Sequence, residues 1–148
     1  MGELILLLAL IILITDWKNN IEIFSNNGSE IQNFNFYSWI KHLVDMNIGE
    51  IMIQCIDKDG TGNGLDENIE AKKLSDISVP IIMMGGIGNF EQLLNGFKLE
   101  YVDAIATANL LNFIGNSFLE ARKFLINKNI NVPYWNAEEF NILENYFK

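Results

Sequence analysis

The sequence predicts an α/β fold built on a parallel sheet, and three observations carry that prediction. Apolar runs of strand length recur at residues 9–15, 51–56, 79–84 and 102–107. The segments between them place apolar residues at helical spacing, and most of the runs end in glycine-rich or polar loops. Strand hydrophobicity is continuous more than alternating, as in a sheet covered by helices, and the order strand–helix repeats four times. A doubly wound open sheet and a (β/α) barrel both fit this rhythm, although a closed barrel needs eight such units.

The elements follow in order. Residues 4–14 are uninterrupted apolar sequence. No Lys or Arg precedes Lys18 and no small-residue cleavage site follows, and the run is shorter than the roughly 20 residues of a membrane-spanning helix. Its second half, residues 9–15, is read as a buried strand, whereas residues 1–8 are expected to be non-native or disordered. Asp16 follows. Ile21, Glu22, Ile23 and Phe24 then alternate, and Asn26, Asn27 and Gly28 supply a turn, which predicts a small hairpin after the first strand. Phe36, Trp39, Ile40, Leu43, Val44 and Met46 share helical spacing, and residues 47–49 stop the helix. His42 lies within it and reads as a surface residue, because no partner carboxylate or second histidine is in range.

The second strand gives way to Asp59, Gly60, Thr61, Gly62, Asn63 and Gly64, residue types that tolerate positive φ and let backbone N–H groups approach a ligand. Asp66 is read as the N-cap of a helix over residues 67–74, with Ile69 and Leu74 inward and Lys72 and Lys73 near its carboxyl end. The third strand has Pro80 near its start, where a missing N–H matters least, and ends at Gly85, Gly86, Ile87 and Gly88. Asn89 caps a helix over residues 90–97. The fourth strand leads through Ala108 and Asn109 into a turn, and a last helix over residues 117–127 precedes a tail with Pro133, Tyr134 and Trp135.

Composition bounds the function. The 148 residues are 49% hydrophobic and 20% charged, enough for one domain with its own core. A net charge of −9 with ten Lys and Arg excludes a general nucleic-acid or anionic-membrane surface, so an anionic substrate has to be held by local backbone donors. A lone cysteine, Cys55, gives no disulfide framework and no multi-cysteine zinc site. Its place inside a strand makes it a buried, inert thiol, and a reducing cytoplasm fits. No metal or other cofactor is expected.

In a parallel array the strand ends lie on one face, so the loops at residues 57–64, 85–88 and 107–109 converge. Backbone donors from Gly85, Gly86 and the turn after Asn109 describe a site for a phosphorylated small molecule without any basic side chain. One glycine-rich turn would reflect geometry alone, whereas two on consecutive strands point to phosphate. Asp16 on the same rim is the acid/base candidate, with a loop-capping aspartate as the plain alternative. Asp57 and Asp59 are further titratable groups, one of them read as bonding its own backbone.

The string GEIMIQCIDKDGTGNGLD, followed by VPIIMMGGIGNFEQLLNGF and VDAIATANLLNF, resembles the carboxyl-terminal half of the cyclase subunit of imidazole glycerol phosphate synthase over about residues 15–131. The resemblance implies half of a (β/α)8 TIM barrel, the last four units. It also implies a glutaminase partner that supplies ammonia, and a cyclisation and lyase step on a bisphosphate substrate in histidine biosynthesis. By resemblance, Asp16 matches a catalytic general acid/base, and Asp59, Gly60 and Thr61 match a loop bordering the substrate. Gly85, Gly86, Ala108 and Asn109 match a phosphate cradle, and Glu50 matches a glutamate near the barrel bottom where ammonia enters. Gln54, Met84 and Asn109 depart from the family pattern, in which smaller or hydroxyl side chains stand. The ending INKNINVPYWN is similar to paralogues of surface-polysaccharide gene clusters, which modify a sugar with ammonia. A half barrel exposes sheet edges and an apolar interior. The chain is therefore expected to pair with itself or with a separately encoded first half, or to be a truncated reading frame. A non-catalytic phosphate-binding half barrel is the competing expectation.

Overall fold

The computed structural model describes residues 9–17, 20–66, 69, 71–108, 110 and 117–133. Residues 1–8, Asn109 and the tail from Tyr134, on which several of the expectations fall, lie outside them. Six strands form a single sheet: β1 (Ala9–Trp17), β2 (Asn20–Ser25), β3 (Glu30–Gln32), β4 (Glu50–Cys55), β5 (Ile81–Met84) and β6 (Ala104–Ala106). Their order is β3-β2-β1-β4-β5-β6. β1, β4, β5 and β6 are mutually parallel, with Ala9 opposite Glu50, Ile51 opposite Ile81 and Ile82 opposite Ala104. β2 and β3 are the antiparallel excursion expected after the first strand. Asn26–Gly28 forms the turn between them, with Asn26, Asn27 and Gly28 at positive φ.

Two features choose between the architectures that the strand–helix rhythm left open. The parallel strands are laid down in chain order along one direction, whereas a doubly wound sheet reverses at a switch point. Burial also alternates along the strands. In β4, Ile51, Ile53 and Cys55 are buried while Glu50, Met52 and Gln54 are half-buried. In β5, Ile81 and Met83 are buried while Ile82 and Met84 are half-buried. Helices on both faces would bury every position. One face is therefore packed and the other is open, as in the inner wall of a partial (β/α) barrel.

The packed face is covered by helices whose local signals are legible. Asn35 caps α1 (Phe36–Asp45) by accepting a hydrogen bond from the Ser38 amide at 3.1 Å. Phe36, Ile40 and Leu43 form its buried stripe, and Asn47, at φ 56°, ends it in the left-handed region. His42 is exposed beside the Trp39 ring, as expected of a lone helical histidine. Asn89 caps α3 (Phe90–Gly96), accepting from the Gln92 amide at 2.9 Å. The last helix among the described residues, α4, spans Ser117–Asn127.

Several boundaries differ from the sequence reading, among them β6, which is Ala104–Ala106 where residues 102–107 were expected. Of the helix expected over residues 67–74, α2 is described over Ala71–Leu74 and Ile69 is a buried bend residue, while residues 67, 68 and 70 lie outside the described ones. Asp66, expected at the start of that helix, is a buried carboxylate, 1% exposed. β5 starts at Ile81, because Pro80 has no N–H to add to the ladder. Its carbonyl nevertheless accepts from the Ile51 amide at 2.9 Å. Asp16 falls inside β1 and not after it. The parallel ladder with β4 ends at the Ile14–Cys55 pair, and β2 then continues the strand by pairing Asp16 with Ile21.

Candidate functional site

The loop after β4 is shaped by its own backbone. The Lys58 and Asp59 amides donate to the Cys55 carbonyl at 3.2 and 3.0 Å, and the Thr61 amide donates to the Lys58 carbonyl at 3.0 Å. Gly60, Gly62 and Gly64 all take positive φ there. Thr61 commits its hydroxyl to the loop, donating to the Lys58 carbonyl at 2.7 Å and accepting from the Asn63 amide at 3.2 Å. The loop then touches the next one: the Gly64 amide donates to the Gly86 carbonyl at 2.8 Å.

These turns meet at the carboxyl rim of the parallel strands. Asp59, Met84, Gly85, Gly86, Ile87, Thr107 and Ala108 line one small cleft there. Of the residues expected at a phosphate site, Asp59, Gly85, Gly86 and Ala108 are thus brought together, while Gly60 and Thr61 sit on the same loop outside the lining. Asn109 lies outside the described residues. No Lys or Arg is among the lining residues. Asp59 is held by a side chain from below, because Gln54 Nε2 donates to its Oδ2 at 2.8 Å. The backbone of Asp16 lies past the Ile14–Cys55 pair, which brings it to this same rim. Glu50, opposite Ala9, opens β4 at the other end of the sheet.

Gln92 is the residue that sequence reasoning missed. From the first turn of α3 its Oε1 accepts from the Gly88 amide and its Nε2 donates to the Gly62 carbonyl, both at 2.8 Å. One side chain therefore bolts the loop after β4 to the loop after β5. The Asn89-x-x-Gln92 spacing is a capping-box signal visible in the sequence, but its reach to Gly62 is a tertiary fact. Gln92→Ala is expected to cost about 1–2 kcal/mol, read as a lower urea midpoint, because two hydrogen bonds are lost together.

Beneath the rim, Cys55 and Asp66 form a buried pair in which the thiol donates to Asp66 Oδ2 at 3.7 Å. Burial pushes the Cys55 thiol from 9.0 up to about 11, the Asp66 carboxylate adding to the rise and the Lys58 amide opposing it. With the folded value above the unfolded one, the protonated thiol stabilises the fold fully below pH 9.0, and that contribution is lost as pH rises toward about 11. Iodoacetamide at pH 8 should leave the native thiol unmodified and label it readily in denaturant, which mass spectrometry reads directly.

A second, larger cavity of about 380 Å³ lies between α3, α4 and β6 and is mostly apolar, lined by Leu93, Phe97, Ile105, Leu110, Leu125 and Val132 among others. Arg122 is the charged residue of its lining. Among the described residues no three His, Cys, Asp or Glu side chains gather to hold a metal, and no helix is long and apolar enough to cross a membrane.

Comparison with known proteins adds to this geometry. The family model described as "Histidine biosynthesis protein" matches residues 9–114. The imidazole glycerol phosphate synthase subunit HisF of Pelodictyon phaeoclathratiforme is 32% identical over 110 residues, covering 74% of this chain and 44% of the relative. That of Chloroherpeton thalassium is 32% identical over 123 residues, covering 81% and 49%. That of Chlorobium phaeobacteroides is 30% identical over 108 residues, covering 73% and 43%. The chain spans less than half the length of these curated relatives.

Proposed function

The chain belongs to the histidine biosynthesis protein family, and from that premise we propose that it supplies the carboxyl-terminal half of an ammonia-dependent cyclase barrel that forms imidazole glycerol phosphate. The observation that supports this reading best is the single cleft in which Asp59, Gly85, Gly86, Thr107 and Ala108 meet at the carboxyl ends of consecutive parallel strands. Backbone N–H groups of the turns at Gly85 and Gly86 and at Ala108 and Asn109 hold one substrate phosphate. Asp59, Gly60 and Thr61 border the reacting part of the substrate. Asp16 exchanges protons with it as general acid and base.

Ammonia reaches the cleft from the opposite end, past Glu50, along the open face that carries Met52, Gln54, Ile82 and Met84. A glutaminase subunit delivers it there. The half-buried apolar side chains of that face support closure by a second half, either a chain carrying the first four units or another copy of this one. The buried, reduced Cys55 supports a cytoplasmic setting.

A second reading is a phosphate-binding half barrel without turnover, supported by the backbone-built cleft at Gly85, Gly86 and Ala108. Mixing the full chain with a first-half chain, ammonium and the bisphosphate substrate separates the two. Formation of imidazole glycerol phosphate supports the cyclase, and phosphate binding without product in any mixture supports the binding module.

A further inference from the structure

The cleft read above as a phosphate cradle also contains the carboxylate of Asp59, which repels an anion. That carboxylate is held in place. Gln54 stands on the open face of β4, in register between Leu13 of β1 and Met84 of β5, and donates Nε2 to Asp59 Oδ2 at 2.8 Å. With Oδ2 engaged from below, Oδ1 is the oxygen left to meet a ligand. A fixed acceptor beside a phosphate seat discriminates between esters of equal charge. A hydroxyl near the phosphate donates to the carboxylate and offsets the repulsion, whereas an alkyl chain in its place leaves the acceptor unpaired.

We propose that Gln54 is a specificity-determining positioning residue, which holds Asp59 as the acceptor for a hydroxyl group carried next to the phosphate of the ligand. The proposal rests on the phosphate-cradle reading and adds to it the residue that sets its selectivity for a hydroxyl beside the phosphate. Gln54 acts through Asp59 and does not itself touch the phosphate.

Calorimetric titration of the full chain with glycerol 3-phosphate and with propyl phosphate tests it, since the two differ in hydroxyls and not in charge. The native chain should bind glycerol 3-phosphate roughly tenfold more tightly, the value of one good hydrogen bond. Gln54→Leu should collapse the ratio toward one through weaker glycerol 3-phosphate binding, with propyl phosphate within about twofold of native. Asp59→Asn, an exposed loop change, should tighten both esters because the charge is removed, and propyl phosphate more than glycerol 3-phosphate, which narrows the ratio. The side-chain amide resonances of Gln54 should shift in Asp59→Asn, a signature that a filler role for Gln54 would not give. An unchanged ratio in Gln54→Leu, with both esters still bound, would overturn the proposal and leave the cradle standing. Binding of neither ester by the native chain would bring down the cradle reading and this inference with it.

Discussion

Asp16→Asn in the assembled barrel should lower kcat by about 10²–10⁴-fold while KM stays within about twofold. The argument begins with the strand. β1 is held to β4 up to the Ile14–Cys55 pair, and β2 alone continues past it through the Asp16–Ile21 pair, so the backbone at Asp16 is fixed from the β2 side and open toward the cleft side. It lies at the rim where the loops after β4 and β5 meet. Exchanging carboxylate for amide keeps the shape and removes the proton acceptor, so a loss confined to kcat identifies acid/base work. Steady-state kinetics with saturating ammonium, across a pH series, provide the check, and one ionisation should vanish from the kcat profile. A change in KM alone would reduce Asp16 to a rim residue that shapes its loop.

Gly86→Ala should cost about 2–4 kcal/mol and abolish phosphate binding. Gly86 sits at φ +96°, and a Cβ built there runs into the Gly64 carbonyl oxygen and meets Lys58 Cβ at 3.1 Å. The first obstacle is backbone and cannot rotate away. Nor can the loop retreat freely, because the Gly64 amide donates to the Gly86 carbonyl at 2.8 Å and ties the same two segments together. Gly60→Ala is the matched control. Its φ of +76° carries the same backbone penalty of about 1–2 kcal/mol, but nothing lies within 4 Å of its Cβ. Urea unfolding of the two variants should therefore differ by the steric cost alone. Equal losses would mean that the two loops are not packed as described.

The sequence reveals much of this arrangement and conceals the rest for identifiable reasons. The helix cap at Asn89, the turn at Asn26–Gly28 and the stop after α1 are local, and each was legible from residue type. Asp66 was not. Its pattern is that of a cap and does not announce that the carboxylate lies buried beside the Cys55 thiol of β4. The strand–helix rhythm alone did not choose between a barrel and a doubly wound sheet; the resemblance of the loop motifs did, and the alternation of buried and open positions along β4 and β5 agrees with it. At the site, the glycine pair announces Gly85 and Gly86, whereas the partners that Gln54 and Gln92 reach, Asp59 and Gly62, are not announced by residue type. Their roles come from what the fold sets beside them.

The hairpin after β1 has a further consequence for how a cylinder is completed. β2 takes the outward side of β1 from Leu13 to Trp17. Among the described residues, the stretch left unclaimed on that side is Ala9 to Ile12, at the end of the strand remote from the cleft. A strand arriving to zip the wall shut there finds a short seam low on the stave, and the mouth above it is fenced by the hairpin.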